Sequence, residues 1–230
     1  MKSTIHKQEE LTYISSFISK LIKTKFGKGP ETCYTTFSDN YVVVHVRRFM
    51  TQIEEELINK NENKAAKIIR TSLTEDLFEG MKEKLQERFE KTVSVVYQDW
   101  NFSNNSGILL FVLEGDACRE NRDLGLKAEL LKNEIVKRSE FSFNQPREFD
   151  VTNLGNDIYI ARCAGYLVPV ERTIYEKGYL YLLEEREIEI RNNYLKNIGR
   201  FERILLKELD GVFLVWDYQE DVLYTIFYCK

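Results

Sequence analysis

Two stretches constrain this chain more than any other. YVVVHVRRFMTQIEEELI (41–58) passes from a valine-rich, β-prone run through Arg47 and Arg48 into an acidic helical run. DIYIARCAGYLVPVERTI (157–174) makes the same passage 116 residues later. A passage that recurs with its neighbours in the same order is the mark of a duplicated unit. A length of 230 residues suits two units of about 100 residues each. The reading places the first unit at 8–114, a charged connector at 115–126 and the second unit at 127–230.

In the first unit, Leu11, Ile14, Phe17, Ile18, Leu21 and Ile22 step at helical spacing, and Gly27, Gly29 and Pro30 stop the helix. TCYTTF and YVVVHVRR around Ser38-Asp39-Asn40 read as a hairpin. Val42, Val44 and Val46 share the face expected in the core; Val43, His45 and Arg47 share the other, read as an ionisable ladder. Thr51 and Glu54 have the spacing of a capping box. Helix should persist to about Lys91 with a break near 59–63, carrying the stripe Leu73, Leu77, Phe78, Met81, Leu85 and Phe89. VSVVYQDW and ILLFVLE close the unit as a second hairpin.

The second unit repeats this order. Pro146, Thr152, Asn156, Glu171 and Ile174 each lie 116 positions after an identical residue. The long helix reads in register at an offset of 120, from Thr74/Tyr194 to Phe89/Leu209, and the next strand at 119. The predicted fold class is α+β: two tandem α-β-β-α-β-β units, each an antiparallel sheet with helices on one face, paired as a pseudo-dimer.

Charge and cysteines narrow the function classes. With 33 basic and 37 acidic residues the net charge is −4, so nucleic acid is not an expected partner. Cys33, Cys118, Cys163 and Cys229 form no CxxC pair, which suits reduced thiols in the cytoplasm. No apolar run is long enough to span a bilayer directly. His6 and His45 are the only histidines and show no metal-ligand spacing, and neither a P-loop nor a GxGxxG occurs, so no metal and no cofactor is expected.

The residues best suited to a site are ionisable or aromatic. His45, Arg47, Arg48 and Glu55 could gather in the first unit, with Glu171 in the place of Glu55 and Arg162 in the place of Val46 in the second. The second unit holds nine of the 13 tyrosines; Tyr175, Tyr179 and Tyr181 flank Gly178 and could line a cleft or contact surface. A facing set of arginines and carboxylates could bind an anion or form an ion-pair network.

FGKGPE (26–31), SDNYVVVHVRR (38–48), the acidic helix and VSVVYQDWN resemble the bacterial MpsC-like domain. YLVPVERTIYEKG (166–178) and the helix after it resemble it more loosely, with Asn144-Gln145-Pro146 in place of Lys-Gly-Pro. The family is named for a sodium-translocating, membrane-potential-generating system whose neighbouring components resemble inorganic-carbon uptake complexes. The resemblance implies a cytosolic accessory protein rather than the ion carrier, and no catalytic residues. The expected function is therefore a non-catalytic interaction protein, monomeric or homodimeric, with a protein partner. The alternative is an anion sensor with a pocket between the units, lined by Tyr175, Tyr179 or Arg162. An enzyme using His45 as base ranks last.

Overall fold

Helix α1 (Lys2–Phe26) runs through the predicted apolar period, and Ile14, Ile18 and Ile22 on its inner face are fully buried. It ends at Gly27, whose φ of +75° is a left-handed conformation that glycine adopts without penalty. The computed structural model describes residues 2–38, 40–115, 124–139, 145–155 and 157–230. The chain divides into two units, Met1–Cys118 and Arg119–Lys230. Asn144, Asn156 and most of the expected connector lie outside the described residues.

The first unit continues with β1 (Thr32–Phe37), β2 (Tyr41–Arg47), α2 (Gln52–Asn59), α3 (Asn63–Glu75), α4 (Phe78–Phe89), β3 (Val93–Asn101) and β4 (Ser106–Leu113). All pairings are antiparallel, and the strand order is β1-β2-β4-β3. Val42, Val44, Val46, Leu109 and Phe111 pack with Ile14, Ile18, Ile22, Met81 and Leu85 in one core. Each such side chain contributes about 1.5–3 kcal/mol by leaving water.

The second unit comprises α5 (Gly125–Arg138), β5 (Glu148–Leu154), β6 (Ile158–Ala164), α6 (Pro169–Glu176), α7 (Leu180–Lys196), α8 (Ile198–Leu205), β7 (Leu209–Asp217) and β8 (Val222–Cys229). Its strand order is β5-β6-β8-β7, the same path as in the first unit. Tyr159, Ala161, Cys163 and Phe227 share a core with Leu131, Ile135, Leu183 and Phe201. The α+β class and the two similar units stand as read from the sequence.

The register between the units differs from the sequence reading. Gln86 Oε1 accepts from Val93 N at 3.0 Å, and Glu202 Oε1 accepts from Leu209 N at 2.9 Å. The helices before β3 and β7 both end at left-handed residues, Glu90 (φ +52°) and Leu206 (φ +59°). Bulges follow between Val93 and Val95 and between Leu209 and Gly211. All these pairs lie 116 apart, so the offsets of 120 and 119 are wrong. Leu209 opens a strand and does not close a helical stripe. A stripe at steps of three and four matches itself after sliding one turn, so apolar period alone does not fix register.

A smaller shift has a larger consequence. Ser38 N donates to Tyr41 O at 2.8 Å across the first hairpin turn, whereas the second turn runs from Leu154 to its partner Ile158 through Gly155 at φ +61°. The second turn therefore holds one residue more, and β6 follows β2 at 117 rather than 116. A one-residue slip exchanges the two faces of a strand. The offset of 117 holds as far as the N-caps of α3 and α7, Glu62 and Tyr179, whose ψ angles are 44° and 43°.

The second face of the first sheet also departs from expectation. Val43 and His45 are buried there, as are Ile108 and Leu110. An ionisable ladder is not formed; only Arg47, at the strand end, is exposed.

Candidate functional site

The most elaborate polar structure in each unit sits where the second strand turns into a helix. Arg48 leaves β2 at φ +53°, and its N–H donates to Asn105 O at 2.7 Å. Asn105, itself left-handed at φ +51° in the β3–β4 turn, accepts through Oδ1 from Phe49 N (2.8 Å) and Met50 N (3.1 Å). One amide side chain thus satisfies two backbone donors that the chain reversal would otherwise strand.

Thr51 then opens α2 with the predicted capping box. Glu54 Oε2 accepts from Thr51 N and Thr51 Oγ1, both at 2.8 Å. The same carboxylate meets Arg70 of α3: Arg70 Nε donates to Glu54 Oε1 at 2.6 Å, and Nη2 reaches Glu54 Oε2 and Phe49 O. The guanidinium lies 3.7 Å from the Phe26 ring centroid, 4.7 Å from that of Phe49 and 5.3 Å from that of Trp100. Burial pulls the Arg70 pKa down, and the Glu54 carboxylate opposes that. Trp100 Nε1 donates to Gln98 Oε1 at 2.7 Å, and Gln98 Nε2 donates to Thr71 O at 3.0 Å. A Cβ on Gly107, cross-strand from Trp100, would fall 2.2 Å from the indole, so glycine there makes room for the ring.

The second unit rebuilds the same clasp. Gly165 (φ +68°) donates to Asp221 O at 2.9 Å, and Asp221 Oδ1 accepts from Tyr166 N (2.9 Å) and Leu167 N (2.8 Å). Glu171 Oε2 accepts from Val168 N at 3.0 Å; valine has no hydroxyl, so half of the capping box remains. Glu171 pairs with Arg186 of α7, whose guanidinium lies 4.9 Å from the Trp216 ring centroid. Asp221 Oδ2 also takes Arg172 Nη2 at 2.9 Å. Tyr166, Trp216, Tyr218 and Tyr175 continue the cluster as successive stacked rings. Tyr218 donates to Glu187 at 2.6 Å, and burial, reinforced by that carboxylate, raises its pKa.

The residues expected to form a site are dispersed. Glu55 is exposed on α2 and stands 3.8 Å from Lys28. Glu171 takes the place of Glu54, 117 positions earlier, not that of Glu55. His45 is buried within β2, Arg47 is exposed, and Arg48 pairs with Glu31 at 2.9 Å. Arg162 takes the place of His45 rather than Val46, and it reaches Glu148 (3.0 Å) and Asp150 (3.6 Å). Tyr175 stacks on Tyr218 at 5.9 Å, whereas Tyr179 is exposed and meets Tyr181 edge-on at 6.4 Å.

Sequence reasoning missed Glu54 as a charge partner, together with Arg70, Asn105, Asp221 and Arg186. One signal was available: the chain's two tryptophans, Trp100 and Trp216, lie 116 apart, as do Arg70 and Arg186. Chemically the clasp is structural. The side chains of Glu54 and Arg70 are 2% and 0% exposed, so neither meets a molecule from solvent. Among the described residues, no group of three His, Cys, Asp or Glu is placed to hold a metal ion, and no helix is long and apolar enough to cross a membrane.

Residues 6–115 match the family model described as "Na+-translocating membrane potential-generating system (MpsC)". No curated protein and no solved structure matches the chain. The match spans the first unit with its clasp, and that unit is similar to the MpsC family.

Proposed function

We propose that the protein is a non-catalytic, cytoplasmic accessory protein that acts by binding another protein, in the setting of the membrane system that the family description names. The observation that carries this reading is the apolar surface left on the helices that follow the clasp. Ile53 on α2 and Val170 on α6 occupy equivalent places, 117 apart, and are 70% and 63% exposed. Single exposed apolar residues are ordinary, but Val170 on α6 and Tyr179, Leu180, Tyr181, Leu182 and Ile188 at the start of and along α7 are all exposed. The buried pairs Glu54–Arg70 and Glu171–Arg186 join helix to helix within each unit. Arg48, Arg162 and Arg172 each already face carboxylates of their own unit, which weighs against anion sensing.

The test is affinity isolation of the tagged full chain from its native cells after reversible cross-linking, with soluble and membrane fractions processed separately. The expected result is one protein recovered in constant proportion to the bait. Recovery of no such protein from either fraction overturns the proposal.

A further inference from the structure

The two clasps differ in how completely their donors are bonded. In the first unit Arg70 Nε and Nη2 both donate to Glu54, and Nη1 is left without a hydrogen-bond partner among the described residues. Trp100 Nε1 donates to Gln98, whose amide donates in turn to the backbone of α3 at Thr71. In the second unit Leu214 stands 116 positions after Gln98, and a leucine side chain accepts nothing. Among the described residues Trp216 Nε1 has no hydrogen-bond partner, and neither do Arg186 Nε and Nη2; Arg186 meets Glu171 through Nη1. These nitrogens are shut off from solvent. A buried donor in that state has given up water and gained no acceptor. Val168 removes one bond more, the hydroxyl that Thr51 gives to Glu54.

The rest of the stretch is unevenly held. Residues 176–182 are exposed without interruption around Gly178, whose φ of +78° makes a left-handed joint between α6 and α7. The second half of α7 is tied down: Tyr194 and Ser139 share a hydrogen bond of 2.9 Å, and Asn193 Nδ2 donates to Arg138 O at 2.6 Å. The first half rests on buried Leu183, on Tyr218 donating to Glu187, and on the clasp.

We propose that α6 and the first half of α7 form a strap that opens while the rest of the second unit stays folded, and that α2 and the start of α3 in the first unit are locked. Opening gives Arg186 and Trp216 water as an acceptor, so hydrogen bonds are gained on release, which lowers the cost of local opening. It uncovers Trp216 and the rings of Tyr166 and Tyr218 stacked on it. This device follows from the bonding difference between two copies of one motif and is independent of the accessory reading.

Amide hydrogen–deuterium exchange of the full chain, resolved by mass spectrometry of its peptides, is the test. Residues 169–187 should be about tenfold or more less protected than residues 52–71, while β8 stays as protected as β4. Val168→Thr should raise the protection of 169–187 roughly fivefold, the worth of a helix cap, without moving β8. Conversely, Thr51→Val/Gln98→Leu should lower the protection of 52–71 about tenfold or more without moving β4. Equal protection of the two stretches in the wild type overturns the proposal, as does exchange of 169–187 in step with β8. So do variants that leave both stretches unchanged or shift each unit as a whole.

Discussion

Asn105 shows how much of the fold can hang on one side chain. It holds a left-handed backbone and accepts from two successive amides at the strand-to-helix turn. Asn105→Ala should cost about 2 kcal/mol or more, because it strands those donors, as read by urea denaturation. Asn105→Asp should be far milder, since Asp221 performs the same task in the second unit. The cysteines make a second prediction. Burial pushes the Cys33 and Cys163 thiols up to about 12, from an ordinary value of 9.0. Each stays protonated in the folded chain at a pH where the unfolded chain ionises. Their contribution to stability is therefore intact below about pH 9 and is lost between there and about pH 12, because only the unfolded state gains from ionisation over that window. A denaturation midpoint falling across that window, with Cys33→Ala/Cys163→Val flattening the fall, checks it. The role of Asn105 was not legible in sequence: it lies in a polar turn of serines and asparagines, and only the amides of Phe49 and Met50, brought close by the fold, single it out.

At the scale of elements, local pattern was informative where the period was long or the chemistry local. Helix α1 follows from its apolar steps, its stop from Gly27, and the start of α2 from Thr51 and Glu54. Ile18→Ala should cost about 2–5 kcal/mol, because Ile18 is fully buried between helix and sheet. Equilibrium unfolding measures this, and Lys20→Ala on the exposed side of the same helix serves as a near-neutral reference. Register was not legible. The break between α3 and α4, at Asp76 and Leu77, carries no glycine or proline, so the stripe reads through it. The extra residue in the second hairpin turn is invisible to an ungapped comparison, yet it exchanges strand faces and sends Glu171 to the position of Glu54.

The molecule as a whole is one unit built twice, and what the copies keep differs from what they vary. They keep the strand order, the left-handed turns, and a glutamate that joins the helix start to an arginine under a tryptophan. They vary the outer helix surface: Lys64, Ile68 and Ile69 are exposed on α3, and Glu184, Glu185 and Glu189 on α7. Glu54 and Glu171 are the same residue of the repeated unit. Denaturation of Glu54→Ala, Glu55→Ala and Glu171→Ala tests it most directly. Removing one member of a buried pair should cost about 3–5 kcal/mol for Glu54→Ala and for Glu171→Ala, while Glu55→Ala stays within about 0.5 kcal/mol of wild type. A Glu55→Ala loss matching that of Glu171→Ala, with Glu54→Ala near neutral, would contradict the account.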